Sequence, residues 1–174
     1  WANDPYGRNI AGVPPPANGD MAWVQHMIKS MNKNGRMTVV LPIGTLYRKN
    51  AEGRIRSSLL KQNILEAVIG LGNNIFYGTP VPVCLMVFNN QKETEKKDKV
   101  LFIDASEQVR VGRAQSYLEP EHITQIFEWF NNYDDVENYV KVASKEDLKE
   151  NDYNLNIPLY VEKIIEDNLP SVEE

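Results

Sequence analysis

Four basic residues crowd one short segment of this 174-residue chain: Arg48, Lys49, Arg54 and Arg56. Guanidinium and ammonium groups donate charge-assisted hydrogen bonds to phosphate oxygens, so this cluster is a candidate phosphate contact. It follows the apolar run 37–41, at the carboxyl edge where open α/β sheets usually bind ligands. The alternative is that these charges simply form the solvated face of a helix.

A second candidate is the pair of glycines in Gly70-Leu71-Gly72, which could begin a cofactor loop. The dinucleotide fingerprint Gly-x-Gly-x-x-Gly requires a third glycine and a following helix. Ile75 stands at the third position, and Pro80 and Pro82 are incompatible with the helix. We therefore predict no cofactor loop in this segment.

Reactive side chains of other classes are scarce. Cys84 is the one cysteine and lies inside an apolar run, so we predict a packing role rather than a reactive thiol. His26 and His122 have no partner at metal-ligand spacing, which indicates structural or surface roles and no metal site. The sequence also lacks a Gly-x-Ser-x-Gly elbow, a P-loop, His-Glu-x-x-His and Cys-x-x-Cys, the commonest hydrolase, nucleotide and zinc motifs.

The elements that position these residues alternate along the first half of the chain. Residues 1–19 are rich in proline and glycine and predict an irregular loop. Asp20 offers an N-cap and Gly35 a stop for a helix over 20–34. Hydrophobic periodicity then predicts a strand at 37–41 covered on both faces, a helix at 51–62 and a strand at 64–69. A strand, a helix and a strand indicate a right-handed parallel crossover.

The second half predicts further strands and two helices. The run 83–88 follows too closely for a crossover helix and should pair antiparallel. A polar, solvated loop over 89–99 then leads to a strand at 100–103. Pro120 opens a helix whose apolar stripe is Ile123, Ile126, Phe127 and Phe130, with Trp129 and Tyr133 extending it toward a partner. The capping box that begins at Ser144 predicts a short helix at 145–150.

Composition bounds the remaining possibilities. At 19.9 kDa, with 42% hydrophobic and 25% charged residues, we expect one soluble domain over 1–165 and a tail over 166–174. No apolar run approaches the ~20 residues of a membrane helix, and a single cysteine without a signal segment favours a cytoplasmic location.

Four blocks in fixed order carry a family resemblance: GDMAWVQHM (19–27), GRMTVVLP (35–42), FYGTPVP (76–82) and NDYNLNIP (151–158). Together they resemble the second half of the modification (M) subunit of type I restriction-modification systems, an adenine-N6 DNA methyltransferase. The resemblance extends over 4–161 and includes ILEAVIGL (64–71) and VLFIDAS (100–106).

The resemblance implies an α/β fold: the carboxyl-terminal half of a Rossmann-like methyltransferase sheet, parallel except for one antiparallel strand inserted between two parallel neighbours, with flanking helices. It also implies that the parent enzyme transfers a methyl group from S-adenosylmethionine to an adenine rotated out of the duplex. In such enzymes a glycine-rich cofactor loop and an Asn-Pro-Pro-aromatic catalytic loop precede these blocks. Neither is plainly present, so we expect the fragment alone to be inactive.

The segment Asn3-Asp4-Pro5-Tyr6 looks like an altered version of that catalytic loop. Asp4 replaces the first proline, which changes both backbone geometry and charge. The family often carries a second Asp-Pro stretch just downstream, followed by Gly-x-Pro-Pro, and Gly12-Val13-Pro14-Pro15 fits that pattern. We favour a lookalike over the catalytic loop itself, and both remain open.

The resemblance also places Phe76 and Tyr77 in a loop beside the target base, where aromatic rings can pack on a flipped nucleotide. Capping of the sheet is the equal alternative. The net charge of −5 is wrong for a module that holds DNA alone, because phosphate contacts supply most non-specific affinity. The family implies DNA, a specificity subunit, a second M subunit and possibly a restriction subunit as partners.

Two functions therefore remain. The first is the carboxyl-terminal part of an M-subunit catalytic domain. The second is a non-catalytic assembly or DNA-positioning module that retains the half-fold and docks through Phe127 and Phe130. In either case a half-sheet should leave a hydrophobic edge, so we expect the isolated chain to associate or to be only marginally stable.

Overall fold

The computed structural model describes residues 1–164 and shows a mixed sheet with helices on both faces. The helices and strands, in chain order, are α1 (Asp20–Ser30), β1 (Arg36–Pro42), α2 (Asn50–Lys61), β2 (Leu65–Leu71), β3 (Val83–Asn89), β4 (Lys99–Ala105), β5 (Arg110–Val111), β6 (Ser116–Tyr117), α3 (Pro120–Asn132), β7 (Val140–Ser144) and α4 (Lys145–Glu150). The predicted domain end at 165 and the tail 166–174 lie outside the described residues.

The five-stranded sheet has the order β1-β3-β2-β4-β7. β3 pairs antiparallel with both β1 and β2, and β2 pairs parallel with β4. β1 and β2 therefore run in the same direction with β3 between them, which confirms the predicted fold class and the inserted strand. The sheet also has a second antiparallel strand, β7, beside β4. The sequence analysis missed β7.

Side chains from the central strands alternate between two core clusters, one on each face of the sheet. On the first face, α1, α2 and the segment after α4 cover Val68, Met86 and Phe102. On the second face, α3 contributes Trp129 against Ile69 and Ile103. β2 is buried along its whole length, the carboxylate residue Glu66 included, because it is the central strand of the sheet and both of its faces are covered.

β1 departs from the prediction of a strand covered on both faces. Only Leu41 in this strand is fully buried, and burial alternates along it. The reason is position: β1 lies at the end of the sheet order, and no helix of residues 1–164 covers its second face. Its outer edge is unpaired among the described residues.

α1 is shorter than the predicted helix over 20–34. It ends at Ser30, because Met31 is extended (φ −70°, ψ 141°), and its N-cap is Gly19 rather than Asp20. The buried Gln25 fastens the preceding loop to this helix. Its side-chain oxygen accepts from the Ala11 amide (2.8 Å), and its amide donates to the Gly12 carbonyl (3.0 Å).

In α3 the prediction for Trp129 was wrong. Trp129 does not extend the apolar stripe toward a partner; it is buried and stacks on Tyr139, with ring centroids 5.1 Å apart. Tyr133 turns inward as well, and its hydroxyl donates to the Glu66 carbonyl (3.1 Å). Ile123 and Phe127 are the residues of the stripe that remain exposed.

The segment 89–99 is not uniformly solvated, because Lys92 is buried. Its ammonium donates to Asn63 Oδ1 (3.1 Å), to the Leu65 carbonyl (3.0 Å) and to the Lys99 carbonyl. These three oxygens satisfy the buried donor, and the lysine joins the start of β2 to the start of β4.

The short helix α4 and its capping box are confirmed. The Asp147 amide donates to Ser144 Oγ (3.2 Å), and the Ser144 amide donates to Asp147 Oδ2 (2.7 Å). Within residues 1–164, no helix has the length and apolar character needed to cross a bilayer.

Candidate functional site

Three loops meet at one edge of the sheet. β1, β2 and β4 run in the same direction, so the segments that follow them, 43–49, 72–82 and 106–118, all begin at that edge. The carboxyl ends of parallel strands are where open α/β sheets bind ligands. This edge therefore carries the candidate site.

The loop after β2 presents the two predicted aromatic rings to solvent. Phe76 is 43% exposed and Tyr77 is 89% exposed. A ring that only capped the sheet would be buried against it, and Tyr77 is not. The geometry leaves this ring free to contact a second molecule.

A two-stranded hairpin formed by β5 and β6 supports that loop, and the sequence analysis missed it. The Ser116 amide donates to the Asn74 carbonyl (2.8 Å), Asn74 Nδ2 donates to the Ala114 carbonyl (3.0 Å), and Gln115 Nε2 donates to the Ile75 carbonyl (2.7 Å). The one feature of the sequence that could have indicated this hairpin was Gly112, which lies between two short runs of mixed polar and apolar residues. At this glycine a Cβ would lie 2.5 Å from the Gln115 carbonyl oxygen.

The same hairpin adds basic and aromatic groups to the edge. The Arg110 guanidinium lies 4.5 Å from the centroid of the Tyr117 ring and also pairs with Glu119. Arg113 is exposed at the turn of the hairpin. Such a combination of arginines and exposed aromatic rings suits a polyanion that also has flat bases.

The structure divides the predicted basic cluster into two pairs. Arg48 Nη1 lies 2.7 Å from Asp20 Oδ2 and 3.3 Å from Glu52 Oε1, so it joins α1 to α2. The hydrogen bond to Asp20 raises the pKa of Arg48. Arg56 is only 4% exposed and does not lie on the solvated face of α2 as predicted. Lys49 and Arg54 are exposed.

A cleft of about 600 Å³ lies beside these exposed cations, along α2. Its lining is mostly basic and polar: Lys49, Asn50, Gly53, Arg54, Arg56, Ser57, Ser58, Lys61 and Asp152. The cleft begins where the loop after β1 enters α2, so it adjoins the same edge of the sheet.

The segment Asn3 to Tyr6 forms a hydrogen-bonded turn. The Asn9 amide donates to Asp4 Oδ2 (2.7 Å), and the Gly7 amide donates to the Asp4 carbonyl (3.2 Å). Backbone hydrogen bonds from Arg8 and Asn9 lower the pKa of Asp4. The Tyr6 ring is exposed and lies under the Arg8 guanidinium. Asp4 thus holds its own loop, and the lookalike interpretation stays a prediction.

The glycines of Gly70-Leu71-Gly72 pack against protein rather than forming an open cradle. A Cβ at Gly70 would lie 2.5 Å from Ile157 Cδ1, and one at Gly72 would lie 2.7 Å from the Ser106 carbonyl oxygen. This close packing explains why neither position carries a side chain.

The block 151–158 forms hydrogen bonds to both the loop after β1 and the helix α2. The Leu155 amide donates to the Leu46 carbonyl (2.9 Å), and the Tyr153 carbonyl accepts from Arg56 Nε (2.9 Å). Asp152 and Tyr153 both have positive φ (51° and 54°), which turns the chain back toward the sheet. The segment therefore connects the loop after β1 to α2.

The remaining reactive groups have structural environments. Cys84 is buried, and burial raises the pKa of its thiol to about 12. His122 Nδ1 accepts the Glu119 amide (3.0 Å) at the start of α3. No cluster of three or more histidine, cysteine, aspartate or glutamate side chains within residues 1–164 could hold a metal ion.

Comparison with known proteins decides the family. The N-6 DNA Methylase family model matches residues 1–168. The chain belongs to this family. The resemblance to type I M subunits read from the sequence is confirmed.

Two curated relatives come from Methanocaldococcus jannaschii. The type I restriction enzyme MjaVII methylase subunit is 37% identical over 153 residues, covering 86% of this chain and 26% of the relative. The MjaVIII methylase subunit is 32% identical over 182 residues, covering 96% of this chain and 31% of the relative. The chain thus spans between a quarter and a third of the length of these methylase subunits.

A solved structure matches the fold closely. The methyltransferase subunit of a type I restriction-modification system from Streptococcus thermophilus superposes with a TM-score of 0.84 at 37% identity. The match covers 91% of this chain and 34% of that subunit. The fold of this chain is therefore that of about a third of a type I methyltransferase subunit.

Proposed function

We propose that this chain is the carboxyl-terminal part of the catalytic domain of a type I M subunit. The parent enzyme transfers a methyl group from S-adenosylmethionine to the exocyclic nitrogen of an adenine rotated out of the duplex. The observation that carries the proposal is the carboxyl edge, where three loops bring exposed aromatic rings and arginines together in a chain of the N-6 DNA methylase family.

DNA binds across this edge. Tyr77 and Phe76 pack on the extruded nucleotide or its neighbours, since every base offers a flat face for stacking. Lys49 and Arg54 contact backbone phosphates from the adjacent cleft. Arg48 and Arg56 contribute differently: Arg48 positions the loop after β1 through Asp20 and Glu52, and Arg56 closes the cleft from below.

The residues present here do not fit the main binding loop for S-adenosylmethionine. Ile157 occupies the space beside Gly70, and the Ser106 carbonyl occupies the space beside Gly72. Asn3 to Tyr6 form a turn that Asp4 holds closed. Cofactor binding and the catalytic loop therefore belong to another part of the parent enzyme, and the fragment alone is inactive.

The parent works in an assembly with a specificity subunit, a second M subunit and, in some systems, a restriction subunit. The net charge of −5 supports this arrangement, because a chain that gripped DNA alone would need a basic surface. The specificity subunit then supplies most of the grip and reads the sequence, while this chain contributes local contacts.

A second candidate function is non-catalytic assembly. An apolar groove of about 420 Å³ runs between the second face of the sheet and α3, with Phe127 61% exposed at its rim. A docking module would use this groove and would never bind cofactor. The two candidates differ in the sequence that precedes residue 1 in the parent: an Asn-Pro-Pro-aromatic loop after a glycine-rich turn favours the enzyme.

The deciding experiment has two arms. In the first, S-adenosylmethionine is titrated calorimetrically into this 174-residue chain and into the full-length methylase subunit that contains it. In the second, the full-length subunit, assembled with its specificity subunit, is given DNA and S-adenosylmethionine labelled in the methyl group, and N6-methyladenine is measured by mass spectrometry. We expect binding and methylation only with the longer protein. Binding by the short chain would restore Asn3 to Tyr6 as site candidates, and a full-length assembly that binds no cofactor would support the docking module.

A further inference from the structure

The cleft along α2 has a buried arginine at its base. Arg56 is 4% exposed, yet it lines the cleft together with three other cations, Lys49, Arg54 and Lys61. Desolvation lowers the pKa of Arg56, and a guanidinium remains charged in proteins. A permanent charge thus lies at the bottom of an open, basic cleft.

Two of the three nitrogens of this guanidinium are fixed by backbone carbonyls. Nε donates to the Tyr153 carbonyl (2.9 Å), and Nη1 donates to the carbonyls of Thr45 (3.2 Å) and Arg48 (3.0 Å). Nη2 has no acceptor in the part of the chain that the structure describes. The third nitrogen therefore retains its hydrogen-bond donors while the side chain is locked in one orientation.

No carboxylate of residues 1–164 forms a salt bridge with Arg56. Glu52 and Asp152 attract its charge from beyond contact distance, and Glu52 is already engaged by Arg48. Asp152 also lines the cleft and lowers its positive charge by one. Four cations against one carboxylate still leave the lining strongly positive, with the hydroxyls of Ser57 and Ser58 beside it.

Glycine at position 53 keeps the space above Nη2 open. A Cβ built on Gly53 would lie 3.7 Å from Arg56 Nη2 and 3.6 Å from the Arg48 carbonyl oxygen, which are ordinary van der Waals distances. Its φ is not in the left-handed region, so the backbone would accept any residue there. A side chain at 53 would therefore project over the unpaired donors of Arg56.

We propose that this cleft is a phosphate-binding site, in which a backbone phosphodiester of DNA accepts from Arg56 Nη2 and lies between Lys49 and Arg54. Because three backbone carbonyls already hold the Arg56 guanidinium in one orientation, little side-chain freedom is lost when it binds an oxyanion. The first amides of α2 lie at the same end of the cleft and favour an anion. The choice of DNA as the source of the phosphate rests on the function proposed above.

The test uses Gly53→Asp in the full-length methylase subunit that contains this chain, assembled with its specificity subunit. The new carboxylate lies over Arg56 Nη2 and takes the place of the phosphate, near the start of a helix where an acidic residue is favourable. Gly53→Ala is the matched control, because its methyl group lies at an ordinary van der Waals distance from Arg56 Nη2 and carries no acceptor or charge. Lys49→Ala removes one cation of the cleft, and Lys29→Ala removes an exposed lysine of α1 outside it.

DNA affinity is measured for each variant over a range of salt concentrations. We expect Gly53→Asp to weaken binding about tenfold at fixed salt, independently of DNA sequence, and to lower the slope of log K against log salt by about one. Lys49→Ala should lower the slope similarly, and the two control variants should not. The melting temperature of Gly53→Asp should equal or exceed that of the wild type, which excludes unfolding as the cause.

Inorganic phosphate without DNA distinguishes the source of the anion. If phosphate raises the melting temperature of the wild type but not of Gly53→Asp, while the DNA salt slopes are identical, the cleft takes free phosphate and the DNA assignment is wrong. If neither probe distinguishes the variants, the cleft is not an anion site. These outcomes are separate from the proposed function, because methylation of DNA by the wild-type assembly is scored independently.

Discussion

Gly70 and Ile157, 87 residues apart in the sequence, are in such close contact that a β-carbon on the glycine would lie 2.5 Å from Ile157 Cδ1. The glycine belongs to β2, and the isoleucine to the short 3₁₀ turn Ile157–Leu159 that follows α4. Two of the blocks that carry the family resemblance therefore explain each other. Because Gly70 has no side chain, the Ile157 side chain can pack directly on β2. This contact holds the segment after α4 against the sheet.

This contact makes a reciprocal prediction. Gly70→Ala should destabilise the protein by about 2 kcal/mol, the usual cost of an added methyl group in a packed core. Ile157→Val removes Cδ1, the atom with which the new methyl group would clash, and leaves neighbours at 3.8 and 3.9 Å, so the double variant should recover most of that loss. Chemical denaturation of the four proteins of the cycle measures the coupling. Additive losses would show that the two residues do not meet.

The family blocks show how far sequence reasoning reaches here. The apolar runs 64–69 and 83–88 predict buried strands, and their short separation predicts the antiparallel pairing that the structure has. The block 151–158 was visible only as a signature. Its role depends on Arg56 and Leu46, which are distant in sequence, and local patterns carry no information on such partners.

Arg56, Lys92 and Trp129 are three residues whose burial could not be predicted from the sequence. Each has a residue type or a local position that favours the surface, and each is buried because partners from other segments satisfy it. Arg56 and Lys92 donate to backbone carbonyls, and Trp129 stacks on Tyr139. The sequence named Phe76, Tyr77, Lys49, Arg54 and Arg56 as candidates. It did not predict the burial of Arg56 at the base of the cleft, because that depends on carbonyl partners outside its own helix.

Lys92 predicts a specific pH dependence. Burial lowers the pKa of its ammonium to about 8, compared with 10.5 for an unperturbed lysine. Between these two values the unfolded chain binds more protons than the folded one, so the free energy of unfolding should rise with pH across that window. Relative to Lys92→Met, the wild type should gain on the order of 2 kcal/mol between pH 7.5 and 10, a range set by the ~1.4 kcal/mol per pKa unit.

The comparison is made by urea denaturation of both proteins at several pH values, because tyrosine and other lysine titrations then cancel in the difference. Absolute stability of Lys92→Met will be lower throughout, since three oxygens lose their donor. A difference between the two proteins that stays constant from pH 7.5 to 10 would mean that Lys92 titrates normally.

Tyr77 and Tyr6 are the two tyrosines that could contact the target base, and substituting each in turn distinguishes them. Tyr77 is the more exposed and lies on the loop supported by the β5–β6 hairpin, so Tyr77→Ala in the full-length assembly should lower kcat/KM for methylation about tenfold, as loss of one stacking contact predicts. Tyr6→Ala should change kcat/KM less than twofold, because the lookalike interpretation gives it no contact with the base. The reverse ranking would place the catalytic loop at Asn3 to Tyr6. Melting temperatures of both variants serve as the control for folding.

The uncovered face of β1 predicts self-association of the isolated chain. Val40 is 47% exposed and shares the face of Arg36 and Thr38, which line the apolar groove, and the outer edge of β1 is unpaired among residues 1–164. Exposed strand edges with apolar side chains pair with other chains, and a lysine on the strand prevents this. In sedimentation velocity, the 174-residue chain should form dimers or larger species at tens of micromolar, and Val40→Lys should shift it toward the 19.9 kDa monomer. Val111→Lys, at a valine of the hairpin that is even more exposed (79%), should leave association unchanged. A wild-type chain that sediments as a monomer and melts cooperatively would show instead that this half of the sheet is complete without a covering partner.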